Sequence, residues 1–381
     1  MLTEAIIAAV AQFDLIVVGA GIVGLAHALA AARRGLRVLV AEREARATRA
    51  SVRNFGFVTV SGQAQGVSRV RALRSREVWA EVAPLAGIDI VQRGALAVAQ
   101  REEALAVLGE FAAGEMGDGC ALLDAAETRR RLPHARAVVR GALASPHELR
   151  VEAREALPRL ARWLEDAHGV AFAWNLAAAG IEGASLRHAG GRIAAAAIVI
   201  APGAALAELA PDLARRVSLR QCKLQMMRLR SSSADRLPAV ILSDLSLLRY
   251  EGFASQPAAS RLRARLEREC ARELAEGVHL IVAQSADGSL VVGDSHHYGD
   301  DTDPFAAEAI DALILGELHA LLDLPGLRIA ERWVGHYPVA DVQPLLREKL
   351  TERARLVAVT SGTGMSTAFA IGEETIDELF A

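Results

Sequence analysis

The chain has 381 residues, 52% of them hydrophobic, enough for a large core and more than one domain. A net charge of −3, from 43 basic and 46 acidic residues, offers no global basic surface, which excludes nucleic acid and anionic membrane as expected partners. Cys120, Cys222 and Cys270 are too scattered for a disulfide framework or a metal motif, and no apolar run is long enough to span a bilayer.

Met1 to Gln12 carries Glu4 and lacks the basic start of a targeting signal, so the expected compartment is the cytoplasm. Asp14 to Val18 then reads as a buried strand, followed directly by Gly19-Ala20-Gly21-Ile22-Val23-Gly24. A helical run continues to Arg34 and breaks at Gly35, and a second apolar strand from Leu36 to Ala41 ends in Glu42. This order predicts a dinucleotide site. Gly19 permits a tight turn, Gly21 lets the backbone approach a pyrophosphate, and Gly24 lets helix and strand pack closely. Glu42 can accept hydrogen bonds from ribose hydroxyls and disfavours a 2′-phosphate; Ile22, Val23 and Arg43 belong to the same expected contact set.

A helix is expected from Val67 to Leu85, closing at Gly87, and another from near Arg150 to Gly169 with apolar period at Ala153, Leu157, Leu160 and Leu164. Further Gly-containing turns follow apolar strands at Ala201-Pro202-Gly203 and at Ser361-Gly362-Thr363-Gly364. Residues 224–229, 239–242, 279–284, 290–293 and 329–334 show partial alternation, with a hairpin break at Asp287-Gly288, and predict a mainly antiparallel sheet. Ser260 to Glu276 reads as one amphipathic helix with a solvated charged face, and Leu247 to Phe253 as a strand carrying Arg249 and Tyr250. The fold class is therefore α/β: a discontinuous two-layer nucleotide-binding domain with a parallel sheet (13–87, 147–214, 336–381) and an antiparallel substrate domain (88–146, 215–335).

The set of motifs resembles the D-amino-acid oxidase, glycine oxidase and sarcosine oxidase family of FAD-dependent oxidoreductases. The resemblance implies FAD, held without a covalent link because no cysteine lies in a flavin-facing motif. It further implies cofactor contacts from Ala50, Ser51, Arg53, Asn54 and Phe55, from Ala178, and from Ala201, Pro202 and Gly203, where Pro202 replaces the family's threonine. Gly362, Thr363, Gly364, Met365, Ser366 and Thr367 would open a helix whose amides suit the flavin edge that gains negative charge on reduction.

Two departures bear on substrate. Tyr337, in Trp333-Val334-Gly335-His336-Tyr337-Pro338, stands where α-amino-acid oxidases of the family carry a carboxylate-binding arginine. Val291 stands where sarcosine oxidases carry an oxygen-activating lysine. Lys223, one of two lysines in the chain, and Arg249 are candidates for a replacement counter-charge, with Tyr250, His296 and Tyr337 beside them. Gly293-Asp294 ahead of His296 superficially resembles a hydroxylase motif, but the flavin-facing helix start lies some seventy residues later. The paired histidines have no accompanying metal-ligand spacing.

Four strings resemble one bacterial subgroup associated with 2-aminoethylphosphonate catabolism: Arg53 to Phe57, Cys222 to Met227, Gly293 to Gly299 and Thr360 to Thr367. That subgroup implies oxidation of an N-substituted aminoethylphosphonate to an imine, which hydrolyses to phosphonoacetaldehyde and an amine. A generic D-amino-acid, glycine or sarcosine-type oxidase and a non-catalytic flavin-binding sensor stand as alternatives. One strand–glycine–helix fingerprint serves one dinucleotide, so NADH and NADPH are expected not to reduce the flavin. Anaerobic bleaching by either nucleotide would favour a hydroxylase instead.

Overall fold

A computed structural model describes residues 13–233, 235–300, 302–340 and 343–381. The segment read above for targeting, residues 1–12, lies outside the described residues. No described helix is long and apolar enough to cross a membrane.

The first sheet has eight strands, and its main path runs Leu345–Thr351, Ala354–Val359, Gly191–Ile200, Phe13–Val18, Val38–Glu42, Ala171–Trp174. The four pairings from Ala354–Val359 to Ala171–Trp174 are parallel, and the strands are apolar on both faces, as burial from two sides requires. Leu15, Val17, Val38 and Val40 point to one core, while Ile16, Val18, Leu39 and Ala41 point to another. Helices Ile22–Arg33, Val67–Leu85, Ala153–His168 and Gly364–Leu379 cover the first face. The hairpin Ala178–Glu182/Ser185–His188 contributes Ile181 and Leu186 to the second core, so three layers replace the two expected from sequence.

Among the described residues the second sheet has ten strands, and there only the pairing of Val240–Leu242 with Ile90–Ala99 is parallel. Its order places Arg220–Arg230 between Leu290–Gly293 and Arg328–Val339. Asp287 and Gly288 turn the hairpin joining Ile281–Gln284 to Leu290–Gly293, with Gly288 at φ +83°. The fold is thus the mixed α/β architecture expected, a parallel sheet beside a mainly antiparallel one.

Two local expectations are corrected. Leu247 to Phe253 is not a strand: helices Asp244–Arg249 and Glu251–Ala254 occupy it. Leu245, Ser246, Leu247 and Leu248 are all buried, and a short run enclosed on every side carries no period to separate helix from strand. The 260–276 segment forms Ala259–Glu269 and Ala271–Ala275, broken where Cys270 leaves helical dihedrals (φ −130°, ψ 37°). Its charged face is exposed as expected.

The start of the last helix is tied from three sides. Trp79 packs edge-on against Phe369 at 5.1 Å and donates its indole N–H to the Met365 carbonyl at 2.9 Å. The Thr59 amide donates to Ser366 Oγ at 2.9 Å, and the Ala370 amide to Ser75 Oγ at 3.0 Å. Trp79→Phe loses the indole bond and leaves a void, and should cost about 1–3 kcal/mol in urea unfolding of the flavin-free protein. An unchanged midpoint would show that this tie carries no stability.

Candidate active site

Three strands of the parallel sheet, Phe13–Val18, Gly191–Ile200 and Ala354–Val359, end at one side of the molecule, where open α/β sheets bind ligands. Gly19 turns the chain there at φ +106°, and a Cβ on it would lie 2.5 Å from the Ala201 carbonyl oxygen. A Cβ on Gly24 would lie 1.8 Å from the Gly19 oxygen, so only glycine lets the helix seat on the turn. The Ile22 amide at the helix start donates to Ser51 Oγ at 3.0 Å, which the absent side chain of Gly21 leaves room for. Glu42 accepts the Ala20 amide at 2.8 Å and the Glu44 amide at 3.0 Å, which fixes its carboxylate at the end of the second strand.

Gly19, Gly21, Glu42 and Ser51 line a cavity together with Arg43, Ala50, Ala178, Ala201, Pro202 and Gly203. Arg43 pairs with Glu208 at 2.7 Å but leaves a second guanidinium nitrogen sealed from solvent without a partner. A glycine-lined turn with no room for side chains, an orphaned guanidinium nitrogen and a fixed carboxylate together fit the adenosine and pyrophosphate of FAD.

A second cleft shares Ala50, Ser51 and Gly203 with the first and continues it between the two sheets. Ile22, Val23, Arg53, Asn54, Phe55 and Gly362 to Ser366 line it; Thr367 is buried behind them, bonded to the Thr363 carbonyl at 3.1 Å. Arg53 is occupied with the Thr48 and Val334 carbonyls, and Asn54 bonds the Ala50 carbonyl and the Gly56 amide. Both therefore shape the loop and reach the cleft through their position in it.

Arg249, Tyr250, His296 and Tyr337 meet at the far end of this cleft. Arg249 donates to Tyr337 Oη at 3.3 Å and to the Ser361 carbonyl at 3.4 Å. A helix residue thus brings a guanidinium to Tyr337, the place where the family's arginine was missing from the strand. Its Nε is sealed from solvent with no partner, and no described carboxylate pairs with it. Tyr250 lies against Gly62, where a Cβ would come within 2.7 Å of the ring.

Lys223 is a correction. Side chains alternate along Arg220–Arg230, and Leu224 faces the cleft, so Lys223 and Gln225 face the other side. There Lys223 pairs with Asp303 at 2.9 Å and Gln225 bonds the Ala307 carbonyl at 2.7 Å. Val291 is buried in the core and does not line the cleft.

Sequence reasoning passed over Asp294 and His279, which complete the end wall. Their backbones bond reciprocally, Asp294 N–H to the His279 carbonyl at 2.7 Å and His279 N–H to the Asp294 carbonyl at 2.8 Å. The signal available was an apolar strand ending in Gly293-Asp294 ahead of the histidine pair. Burial pushes the Asp294 carboxyl up to about 7, against the opposing pull of Arg249. Burial lowers His279 to about 4, and burial, with His279 and Arg249 nearby, holds His296 well below its usual value. Both imidazoles are neutral at pH 7.

A family model described as DAO, FAD dependent oxidoreductase, matches residues 14–378. No curated protein matches the chain. Among solved structures, glycine oxidase from Geobacillus kaustophilus superposes with a TM-score of 0.77 at 20% identity, covering 97% of this chain and 94% of that one. L-alpha-glycerophosphate oxidase from Mycoplasma pneumoniae, with FAD bound, gives a TM-score of 0.74 at 15% identity over 97% and 95%. Iminodiacetate oxidase from Chelativorans sp. BNC1 gives 0.68 at 17% identity over 94% and 93%.

Acid precipitation should release all the flavin into the supernatant, because Cys222 and Cys270 are buried and none of the three cysteines lines the cleft. Colour retained in the pellet would show a covalent link. Glu42→Ala should weaken FAD binding by about 1.5–3 kcal/mol through the loss of a charge-assisted partner. Unchanged FAD affinity in equilibrium dialysis would mean that Glu42 does not hold the cofactor.

Proposed function

The chain belongs to the family of FAD dependent oxidoreductases, and from that premise we propose that it oxidises a small amine bearing an anionic head group. The substrate class favoured is an N-substituted 2-aminoethylphosphonate. The observation that carries this reading is Arg249: a partly buried guanidinium in a largely apolar cleft, with a spare Nε and no carboxylate partner among the described residues. A cation left unpaired in such a place is costly unless an anion arrives to meet it. The resemblance of four strings to the aminoethylphosphonate subgroup is what favours a phosphonate as that anion.

Bound FAD supplies the two-electron acceptor for a Cα–H bond. The protein's part is to position and to manage charge. Arg249 and the Tyr337 hydroxyl hold the head group, and Leu224, Ile281 and Phe57 give the carbon chain an apolar wall. Gly364 and Met365 open the last helix at the cleft, and that helix start would favour the negative charge a bound flavin gains on reduction. The amine nitrogen must be neutral when the Cα hydrogen leaves with its electron pair. The resulting imine takes up water and falls to an aldehyde and a released amine. In this reading segments 13–87, 147–214 and 336–381 hold the flavin, and 88–146 and 215–335 roof it.

The structural neighbours include enzymes whose names denote oxidation of glycine and iminodiacetate and one that acts on a phosphate ester. A carboxylate would also meet Arg249, so a generic amino-acid or glycine oxidase is the second reading. The test compares ethyl-chain amines ending in phosphonate, carboxylate or no acid. Arg249→Met should lower kcat/KM for the phosphonate by the equivalent of about 2–5 kcal/mol, with FAD content and the neutral amine little affected. Lys223→Ala, outside the cleft, should leave these constants unchanged. Equal turnover of all three amines, or a silent Arg249→Met, would sink the anionic-head reading. Failure to bleach with any amine would favour a sensor.

A further inference from the structure

Beyond Arg249, the cleft holds a second charge-bearing group that nothing above uses. Asp294 is buried at the end of strand Leu290–Gly293, lines the cleft, and has one basic nitrogen within 4 Å among the described residues, the neutral His296 Nε2 at 3.8 Å. Arg249 lies in the same cleft on a different element, yet the two are not paired with each other. Opposite charges in a largely apolar space attract strongly, so a gap between them persists only because rigid elements hold it open. His279 clamps the Asp294 backbone through two hydrogen bonds, and Arg249 is held by Tyr337 and Ser361. Two opposite charges in one cleft, not within 4 Å of each other, suit a ligand that is itself a zwitterion, anion at one end and ammonium at the other.

We propose that Asp294 receives the substrate's ammonium and takes its proton, so that Arg249 and Asp294 together select a short-chain amine with an anionic terminus and deliver its nitrogen neutral. This rests on the anionic-head reading for the partner of Arg249, but not on which acid that head is. The N–H bond breaks, its proton passes to an Asp294 carboxylate oxygen, and the electron pair stays on nitrogen. That pair is then free to form the C=N bond when the Cα hydrogen leaves with its own pair, for which FAD would be the acceptor. No further reactant is needed, and Asp294 is reset when the proton returns to water.

The groups around Asp294 suit that task. His296 Nδ1 faces the Gly277 carbonyl and His279 Nδ1 the Leu245 carbonyl, and since a carbonyl only accepts, both nitrogens carry hydrogen. His296 Nε2 is then a bare acceptor beside Asp294, not a competing cation. Tyr250, Tyr298 and Tyr337 all have hydroxyls raised chiefly by burial, and burial pushes the Cys222 thiol up to about 12, so none is charged at neutral pH. Arg249 is the cation whose field Asp294 feels, and Asp294 itself sits near 7, poised to exchange a proton at neutral pH.

The test is the pH dependence of anaerobic flavin reduction in the FAD-loaded enzyme, wild type against Asp294→Asn, with whichever amine of the phosphonate–carboxylate–neutral panel reduces it. In wild type the second-order rate should rise about tenfold per pH unit and level off near pH 7. In D294N it should fall at least a hundredfold at pH 7 and recover toward the pKa of the free amine, where substrate arrives already neutral. The same profile in both proteins, or a loss in D294N that is equal at every pH, would overturn the proposal. A second measurement needs no variant. A trimethylammonium carboxylate of the same chain length has a fixed charge above pH 5, so its inhibition constant should fall with pH as Asp294 ionises. An inhibition constant flat with pH, or no inhibition, would also overturn it. Loss of the phosphonate preference alone, with the limb retained, would revise the head group and leave Asp294 in place.

Discussion

One close approach underlies the rest of the structure: the backbone of the Gly19 turn lies against the Ala201 carbonyl on one side and the helix at Gly24 on the other. No side chain fits at either glycine, so the two βα units draw together and leave a bare backbone surface at the strand ends. Ser51 and Glu42 are positioned by hydrogen bonds to amides within this turn, at Ile22 and Ala20. The cofactor cradle is thus a consequence of packing and exists before any ligand is considered. The long cleft follows from it, because the Ala50 loop and Gly203 border both cavities and pass the cradle's axis on toward the second sheet.

At the other end of that axis the governing term is desolvation. The cleft wall is built from Leu224, Ile281, Phe57 and Tyr337, and within it the ionisable groups separate into two sets. The histidines are driven neutral by burial, whereas Arg249 keeps its charge because a guanidinium cannot shed it in this range. Asp294 lies between these extremes, its burial working against the field of Arg249. A site with one fixed cation, one titratable carboxyl and neutral imidazoles is arranged to bind an anion and to exchange one proton.

What the sequence made legible followed from local rules. The glycine spacing, the helix to Arg33, the strand ending at Glu42 and the Asp287-Gly288 hairpin are each specified by residues within a few positions of one another. Most of the residues expected around the cofactor line the two cavities for the same reason. Lys223 was misplaced because strand alternation was not carried through from Leu224, and that one-residue parity decides which face a side chain takes. Arg249 was assigned the right neighbourhood on the wrong element, since Leu245 to Leu248 are enclosed on every side and show no period. Asp294 was passed over because its significance depends on its sharing a cleft with Arg249 without pairing to it, which only tertiary structure displays. The third layer on the parallel sheet arises from a hairpin too short and too polar to announce itself as a cover.

The central claim is that the cleft orients a short amine by its acidic end. A crystal structure of the FAD-loaded, reduced protein with 2-aminoethylphosphonate bound under anaerobic conditions tests this most directly. The account predicts phosphonate oxygens within hydrogen-bond distance of the Arg249 guanidinium and the Tyr337 hydroxyl, with the amine toward Asp294 and Cα over the flavin. A phosphonate held by other residues, or the opposite orientation with the amine against Arg249, would contradict it.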